Sequence, residues 1–289
     1  MTNQKTLKIA IASGKGGTGK TMLSANLAAY LAQTQETLLV DLDVEEPNDM
    51  LFFTGEILDV KDQYKMIPQW DESKCTLCGI CSSTCKYHAV IQLGSIILVF
   101  KELCHGCYAC SELCPVQALP MIKHKMGETK TIAADNLTCI ESRLNIGEEQ
   151  AVPLIHKTHE LVDQSFNNFP VQIFDCPPGT SCPVVAATKK ADYVVLVTEP
   201  TPFGLNDLRL AVETMREIQK PLGVVINRYG IGNNEVEKYC MEQRIPILAK
   251  IPYDRKIAEL YSSGKLVYDQ VEGISTSLET IIKTIRDAV

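Results

Sequence analysis

Short apolar runs bounded by turn residues recur along this chain and predict buried β-strands. They occupy residues 8–13, 37–41, 171–174, 193–197, 223–226 and 247–251. Stretches with helical spacing of apolar residues lie at 21–32, 205–219 and 275–288. Strands that alternate with helices favour an α/β fold, in which helices cover both faces of a doubly wound, mostly parallel sheet.

Between residues 62 and 135 this alternation gives way to cysteine-rich and turn-rich sequence. Each cysteine of a second set lies 29 residues after its counterpart in a first set. The first set is Cys75, Cys78, Cys81 and Cys85, and the second is Cys104, Cys107, Cys110 and Cys114. The repeat predicts two copies of one unit. We therefore expect an α/β domain split into residues 1–61 and 136–289 around an insert of residues 62–135.

Each set has the spacing C-x2-C-x2-C-x3-C, and Pro115 follows the last cysteine. This spacing is typical of bacterial two-cluster ferredoxins, in which the fourth ligand of each [4Fe–4S] cluster comes from the other repeat. The expected ligand sets are Cys75, Cys78, Cys81 and Cys114 for one cluster, and Cys104, Cys107, Cys110 and Cys85 for the other. Lys86 replaces the proline usual after the first set, which weakens the turn constraint there. A double zinc site is the alternative, but zinc motifs pair cysteines as two separated C-x-x-C units. The insert is thus expected to be an α+β bacterial-type ferredoxin domain.

A glycine-rich segment between the first predicted strand and helix matches the phosphate-loop motif G-x-x-x-x-G-K-S/T. Its residues are Gly14, Lys15, Gly16, Gly17, Thr18, Gly19, Lys20 and Thr21. Backbone N–H groups of such a loop, together with the helix N-terminus, bind phosphate oxygens. Lys20 is expected to reach the β- and γ-phosphates, and Thr21 to hold magnesium.

The additional lysine, Lys15, makes this loop resemble the deviant phosphate loop of the MinD/Mrp/nitrogenase iron protein superfamily. In that family the early lysine reaches the partner's nucleotide across a dimer. The resemblance implies ATP sandwiched between two subunits, in a homodimer or a dimer with a paralogous ATPase. Lys15 would then act in catalysis as an arginine finger does. The alternative is a lysine that only lines its own loop.

Three aspartates match family positions near magnesium. Asp43 resembles the switch I aspartate that orients the attacking water, and Asp41 is a magnesium-shell candidate. Asp175 begins a segment that resembles switch II, where it would bind magnesium through water. The alternative for any one of them is an ordinary strand-end cap.

Further residues match family positions near the adenine base of the nucleotide and near a cluster shared between subunits. Asn227 resembles the adenine-reading asparagine, and Pro252 and Asp254 occupy the second adenine-side loop. Cys182 resembles a switch II cysteine of the nitrogenase iron protein, which helps to bridge a cluster across the dimer; a structural thiol is the alternative. Cys176, adjacent to Asp175, is expected to be a plain buried residue, and Cys139 and Cys240 are expected to be structural or surface thiols.

Composition and charge limit the partners and the cellular compartment that we expect for this protein. The net charge of −7 argues against nonspecific nucleic-acid binding, which favours a basic surface. No apolar run reaches the roughly 20 residues of a membrane span, and residues 1–6 hold no signal-peptide core. We therefore expect a cytoplasmic protein, in which a content of 12 cysteines argues for metal ligation rather than a disulfide framework.

The resemblance extends over nearly the whole chain and is close to superfamily ATPases that carry an inserted ferredoxin domain. The segments 43–48, 143–147 and 198–205 carry it outside the loop. It implies a dimeric, Mg-ATP-dependent ATPase with Lys15, Lys20 and Asp43 in catalysis, whose cycle gates electron transfer through two [4Fe–4S] clusters to a partner protein. A factor that assembles or delivers a metal cofactor and a redox-sensing regulatory or positioning switch are the alternatives.

Overall fold

The described part of the chain, residues 6–289 of the computed structural model, is organised around a nine-stranded sheet. The expectation about a signal peptide concerns residues 1–6, of which 1–5 lie outside the described residues. The strands are β1 (Leu7–Ala12), β2 (Thr37–Asp41), β3 (Glu56–Pro68), β4 (Val90–Leu93), β5 (Ile96–Val99), β6 (Met121–Ala134), β7 (Leu137–Leu144), β8 (Val171–Asp175), β9 (Tyr193–Thr198), β10 (Leu222–Tyr229) and β11 (Ile247–Pro252).

The strand order in the sheet is β11-β10-β9-β1-β8-β2-β7-β6-β3. Neighbouring strands from β11 to β7 are parallel, whereas β6 runs antiparallel to both β7 and β3. Each of the six predicted apolar runs coincides with a strand of the parallel part. The mostly parallel α/β sheet is therefore confirmed.

Helices cover both faces of this sheet. The helices of the described chain are α1 (Lys20–Ala32), α2 (Ile80–Thr84), α3 (Ala109–Glu112), α4 (Ala151–Ser165), α5 (Cys182–Thr188), α6 (Pro202–Glu217), α7 (Glu235–Glu242), α8 (Arg255–Ser262) and α9 (Ile274–Ala288), with a 3₁₀ turn at Asp49–Phe52; α2 and α3 lie away from the main sheet. Apolar residues of α1 and α9 form one core layer, and those of α4 to α7 form the other. The predicted face of α9 is buried in the first layer. No helix among residues 6–289 is long and apolar enough to cross a membrane.

The strands β3 and β6 belong to the main sheet, yet both include residues of the expected insert, 62–135. β3 extends to Pro68, and β6 begins at Met121. They pair antiparallel from Glu56 opposite Ala133 to Pro68 opposite Met121. Residues 69–120, here called the cysteine-rich unit, lie between them and contain α2, α3 and the β4–β5 hairpin. Two continuous strands thus join this unit to the main sheet.

Candidate functional site

Three neighbouring parallel strands bring the candidate phosphate and metal residues to one edge of the sheet. Asp175, the last residue of β8, lies in register with Asp41, the last residue of β2. On its other side Asp175 pairs with Ile11 of β1, the strand that leads into the glycine loop. Carboxyl ends of parallel strands are where ligands bind in open α/β sheets. The two carboxylates and the loop therefore share one crevice.

The glycine loop needs glycine at specific positions. Gly17 and Gly19 have φ values of +77° and +98°, a region that favours glycine. A Cβ on Gly14 would lie 2.2 Å from the carbonyl oxygen of Asp207, and one on Gly19 would lie 2.3 Å from the amide nitrogen of Asn227. The loop can thus pass close to its neighbours and lead its backbone into the N-terminus of α1, an arrangement that suits phosphate.

Lys20, Thr21 and Asp175 form the centre of the crevice. The Lys20 side chain is buried, and Thr21 Oγ1 donates a hydrogen bond of 2.7 Å to Asp175 Oδ2. Asp175 Oδ1 is buried and finds no hydrogen-bond partner within residues 6–289. Burial raises the pKa of Asp175 to about 6, although the charge of Lys20 opposes this rise. Hydroxyl and carboxylate oxygens are ligands that Mg²⁺ prefers, so these residues fit that ion.

The segment after β2, residues 42–48, folds back over the end of that strand. Asp41 Oδ2 accepts hydrogen bonds from the backbone N–H groups of Asn48, at 2.8 Å, and Asp49, at 3.0 Å. Asp43 lies half-buried on this segment, and burial raises its pKa to about 6. A carboxylate with that pKa is ionised at neutral pH and can accept a proton or a hydrogen bond.

Asp49 belongs to this site although sequence reasoning missed it. One ligand oxygen from each of Asp41, Asp49 and Asp175 lies within 4.8 Å of the other two. Ser24 Oγ donates to Asp49 Oδ1 at 3.3 Å, whereas Asp49 Oδ2 is buried without a partner in the described chain. Burial and then the neighbouring carboxylates raise the pKa of both Asp41 and Asp49. The only signal in the sequence was a further aspartate just beyond the segment that follows β2.

Lys15 is held by a residue of its own chain. Its Nζ lies 3.6 Å from Glu199 Oε2, and Arg228 Nη1 lies 2.6 Å from Glu199 Oε1. The Glu199 side chain is buried. Sequence reasoning singled out Lys15 but not this partner, which is brought to it by the end of β9.

A cavity of about 280 Å³ adjoins the glycine loop. It is lined by Gly17, Gly19, Met22, Asn227, Arg228, Pro252, Tyr253, Asp254, Ile257, Ala258 and Tyr261. The three residues expected near adenine thus lie around one cavity. Two of them also make hydrogen bonds to nearby backbone groups. The Asn227 amide donates to the Thr18 carbonyl oxygen at 2.8 Å. Asp254 caps α8 by accepting a hydrogen bond of 2.8 Å from the Lys256 N–H.

In the cysteine-rich unit, one cavity brings together four cysteines from both repeats. They are Cys75, Cys78, Cys81 and Cys114. Apolar Ile97 and Leu119 complete its wall. The combination is the one expected for the first cluster, with three thiols from the first repeat and one from the second.

The other four cysteines are also neighbours. Burial raises the pKa of the Cys110 thiol to about 11, and the nearby thiols of Cys104, Cys107 and Cys85 contribute to the rise. Cys85 also packs against Cys104 and Ile67. A metal must displace the protons of such thiols, so metal binding at this group would release protons.

A buried ion-pair group adjoins the second quartet and was not predicted. Lys65 Nζ lies 2.7 Å from Glu148 Oε2, and His124 Nε2 lies 2.5 Å from Glu148 Oε1. The Lys65 and Glu148 side chains are almost fully buried. The Lys65 charge acts to lower the pKa of the Cys104 thiol, although burial of that thiol outweighs it. No local sequence pattern marks this group, because its members come from separate segments.

Of the four cysteines outside the two quartets, one is exposed to solvent and three are buried. Cys182 is exposed at the start of α5, so a bridging role across a dimer stays a prediction. Cys139, Cys176 and Cys240 are buried, and burial raises the pKa of each thiol.

Glycine loop, strand order and paired aspartates together define a P-loop nucleotide-binding α/β protein. The profile of the CobQ/CobB/MinD/ParA nucleotide binding domain family matches residues 9–267. This chain belongs to that family of nucleotide-binding domains.

Individual proteins support the same assignment. The chain is 32% identical over 259 residues to the uncharacterized protein MJ0579 of Methanocaldococcus jannaschii, covering 89% of this chain and 90% of that protein. It is 23% identical to an iron-sulfur cluster carrier protein of Pyrococcus horikoshii, covering 89% of this chain and 77% of that protein. In fold it resembles the septum site-determining protein MinD of Pyrococcus horikoshii, solved with Mg-ADP, with a TM-score of 0.62 at 19% identity and coverage of 98% and 97% of the two chains.

Proposed function

We propose that this chain is a dimeric, Mg-ATP-dependent ATPase that couples hydrolysis to electron transfer through two [4Fe–4S] clusters to a partner protein. The observation that carries the proposal is the position of the two cysteine quartets. They lie between β3 and β6, which are strands of the same sheet that carries the glycine loop.

In the nucleotide site, Lys20 neutralises charge on the phosphates, and Thr21 and Asp175 hold magnesium. Asp43, on the segment after β2, orients the attacking water. Lys15 leaves Glu199 and reaches the nucleotide of the partner subunit, which is a second copy or a paralogous ATPase. The orphaned oxygen of Asp175 and the buried Lys20 support these roles.

The quartets suit clusters that stay in the protein. Each draws its fourth ligand from the other repeat, so release of one cluster would disturb both repeats. Cys81 and Cys110 are buried with Val90 and Leu119 in the core of the unit. A [4Fe–4S] cluster supplies one-electron transfer at a potential set by its surroundings. The exposed Cys78 and Cys107 offer positions where a partner protein could approach each cluster.

A short series of contacts links the nucleotide site to the second quartet. The Leu144 N–H donates to the Val44 carbonyl oxygen at 2.8 Å, and Arg143 Nη2 donates to the Pro47 carbonyl oxygen at 3.1 Å. Both acceptors lie on the segment after β2 that includes Asp43. The chain then continues from β7 to Glu148, whose partner Lys65 adjoins Cys104. We propose that movement of this segment on ATP binding is transmitted to the second cluster by this route.

Assembly or delivery of iron–sulfur clusters is the second candidate function. The names of the carrier proteins from Pyrococcus horikoshii and Aquifex aeolicus favour it. Under this alternative, iron would leave the quartets for an acceptor that lacks a cluster. Under a third, redox-sensing alternative, reduction would change the hydrolysis rate without electron transfer to a partner.

Cluster-loaded protein, prepared without oxygen, distinguishes these functions. Midpoint potentials of both clusters are measured by electron paramagnetic resonance without nucleotide and with ATP, and iron is counted after incubation with an apo-acceptor. ATP-dependent potentials with full iron retention support gated electron transfer. Potentials identical in both states count against it, and iron loss to the acceptor favours delivery.

The Lys20→Ala variant tests the nucleotide site. It should keep both clusters but lose hydrolysis, and undiminished hydrolysis would contradict the assignment of the nucleotide site.

A further inference from the structure

Asp49 adds a third carboxylate to the metal position of the nucleotide site. Its side chain is 1% exposed, as are those of Asp41 and Asp175. The three lie close enough that one oxygen of each could contact the same ion. Asp49 is placed there by two local contacts: its N–H bonds to Asp41, and Ser24 of α1 bonds to its Oδ1.

Two of these carboxylates still lack a partner for one oxygen. Asp49 Oδ2 and Asp175 Oδ1 are both buried and make no hydrogen bond within residues 6–289. Buried carboxylates without compensation are costly, and in proteins they are paired or coordinate metals. The Lys20 charge acts on Asp175, whereas the groups acting on Asp49 are carboxylates and the Ser24 hydroxyl. The unpaired oxygens are therefore available to a cation, which on binding would displace any proton they hold.

The number of carboxylates decides when that cation can bind. Mg²⁺ in phosphate-binding sites is usually held by one or two carboxylates together with substrate phosphates. Here three buried carboxylates converge, which is one more than that arrangement provides. We propose that this site binds one divalent cation in the absence of nucleotide, with Asp49 as the ligand that makes this binding possible.

This inference rests on the proposed nucleotide site only for its location. In the proposed order of events the ion is already in place when ATP enters the crevice.

The test is a titration of cluster-loaded, full-length protein with Mn²⁺ in the absence of nucleotide, followed by the paramagnetic resonance signal of free Mn²⁺. We expect one Mn²⁺ bound per chain in the wild type. Asp49→Asn should weaken this binding by more than the about 10-fold loss that follows removal of an outer-shell partner. Glu46→Gln is the matched control, because it removes one negative charge from an exposed side chain on the segment after β2, outside the trio, and it should bind as the wild type does.

Thermal unfolding with and without Mn²⁺ gives a second readout, since an ion that binds only the folded state raises the unfolding temperature. That rise should occur in wild type and Glu46→Gln and be lost in Asp49→Asn. Absence of nucleotide-free binding in the wild type, or wild-type binding by Asp49→Asn, overturns the inference. Mn²⁺ that binds only together with ATP overturns it but leaves the nucleotide site intact. Nucleotide-free binding that persists while ATP fails to bind contradicts the proposed function instead.

Discussion

Lys15 Nζ and Glu199 Oε2 lie 3.6 Å apart within one chain, so the loop lysine already has a carboxylate partner before any second subunit is present. Glu199 in turn is held by Arg228 at 2.6 Å. For Lys15 to reach a nucleotide in the partner subunit, it must exchange Glu199 for phosphate oxygens. Lys15 is partly exposed, and the buried Glu199 carboxylate keeps Arg228 as a partner when Lys15 leaves. The exchange is therefore not opposed by a strong interaction.

Replacing Lys15 should separate ATP binding from ATP hydrolysis. Lys15→Gln removes a charge that acts in trans, and we expect a fall in hydrolysis rate of about 1,000-fold, the lower range of an arginine-finger effect. ATP affinity should change only a few-fold, since Lys20 remains. Hydrolysis rate and ATP affinity are measured separately. Lys20→Gln is the control and should lose both, whereas wild-type hydrolysis by Lys15→Gln would contradict the role in trans.

His159 should give the folded protein a specific sensitivity to acid. Burial lowers its pKa to about 4, and its Nε2–H donates to the Ala187 carbonyl oxygen at 3.1 Å. Between pH 6.5 and about 4 the unfolded chain binds this proton and the folded chain does not, so stability contributed by neutral His159 falls as pH falls through that window. The pKa difference corresponds to at most about 3 kcal/mol.

Unfolding free energies of wild type and His159→Gln, measured across this window, test that expectation. The difference between the two proteins should change with pH, and subtracting the curves removes acid effects common to both. His156→Gln, on the exposed face of the same helix, should follow the wild-type curve. A pH-independent difference for His159→Gln would contradict the assignment of a neutral buried histidine.

The parts of the molecule that were predictable from sequence are those with local signals. The apolar runs of β1, β2 and β8 and the spacing of the glycine loop depend on neighbouring residues only. The edge strand β3 escaped prediction because most of its side chains are exposed, so it has no apolar run. Asp49, Glu199 and the Lys65–Glu148 pair escaped because their partners come from other segments, which only the folded sheet brings together.

Pairs of cysteine substitutions test whether the quartets are interleaved. Cys85→Ser combined with Cys107→Ser removes two ligands of one expected quartet, so one cluster and about four irons should remain. Cys85→Ser combined with Cys78→Ser removes one ligand from each quartet, and we expect both clusters to be lost or unstable. Iron counts and cluster absorbance are the measurements. The reverse result would show that Cys85 belongs with the first repeat.

The iron count tests whether Cys182 binds a further cluster, and Cys176 provides the control. Cys176 is fully buried in the core, and Cys176→Ser should leave about eight irons per chain. A count of about ten in the ATP-trapped dimer, lowered by Cys182→Ser, would support a further cluster that bridges the subunits. A count of about eight in both proteins excludes the bridge.

The buried pair of Lys65 and Glu148 should set the potential of the second cluster. A positive charge near a cluster stabilises the added electron, so Lys65→Met is expected to shift the midpoint potential of the cluster at Cys104 to more negative values. Glu148→Gln leaves the Lys65 charge less compensated, and it should shift the same potential to more positive values. Potentials are measured by paramagnetic resonance in both variants, with the cluster at Cys75 as the internal reference.

Opposite shifts at one cluster distinguish an electrostatic effect from general loosening of the unit, which would move both variants in the same direction. Shifts of equal size at both clusters would also contradict a local role for Lys65. If Glu148 lies on the route from the nucleotide site, Glu148→Gln should in addition reduce the difference in potential between ATP-bound and nucleotide-free protein. Retention of the full ATP-dependent difference would place the coupling elsewhere, because this pair is the last step of the proposed route from Val44 and Pro47 through β7.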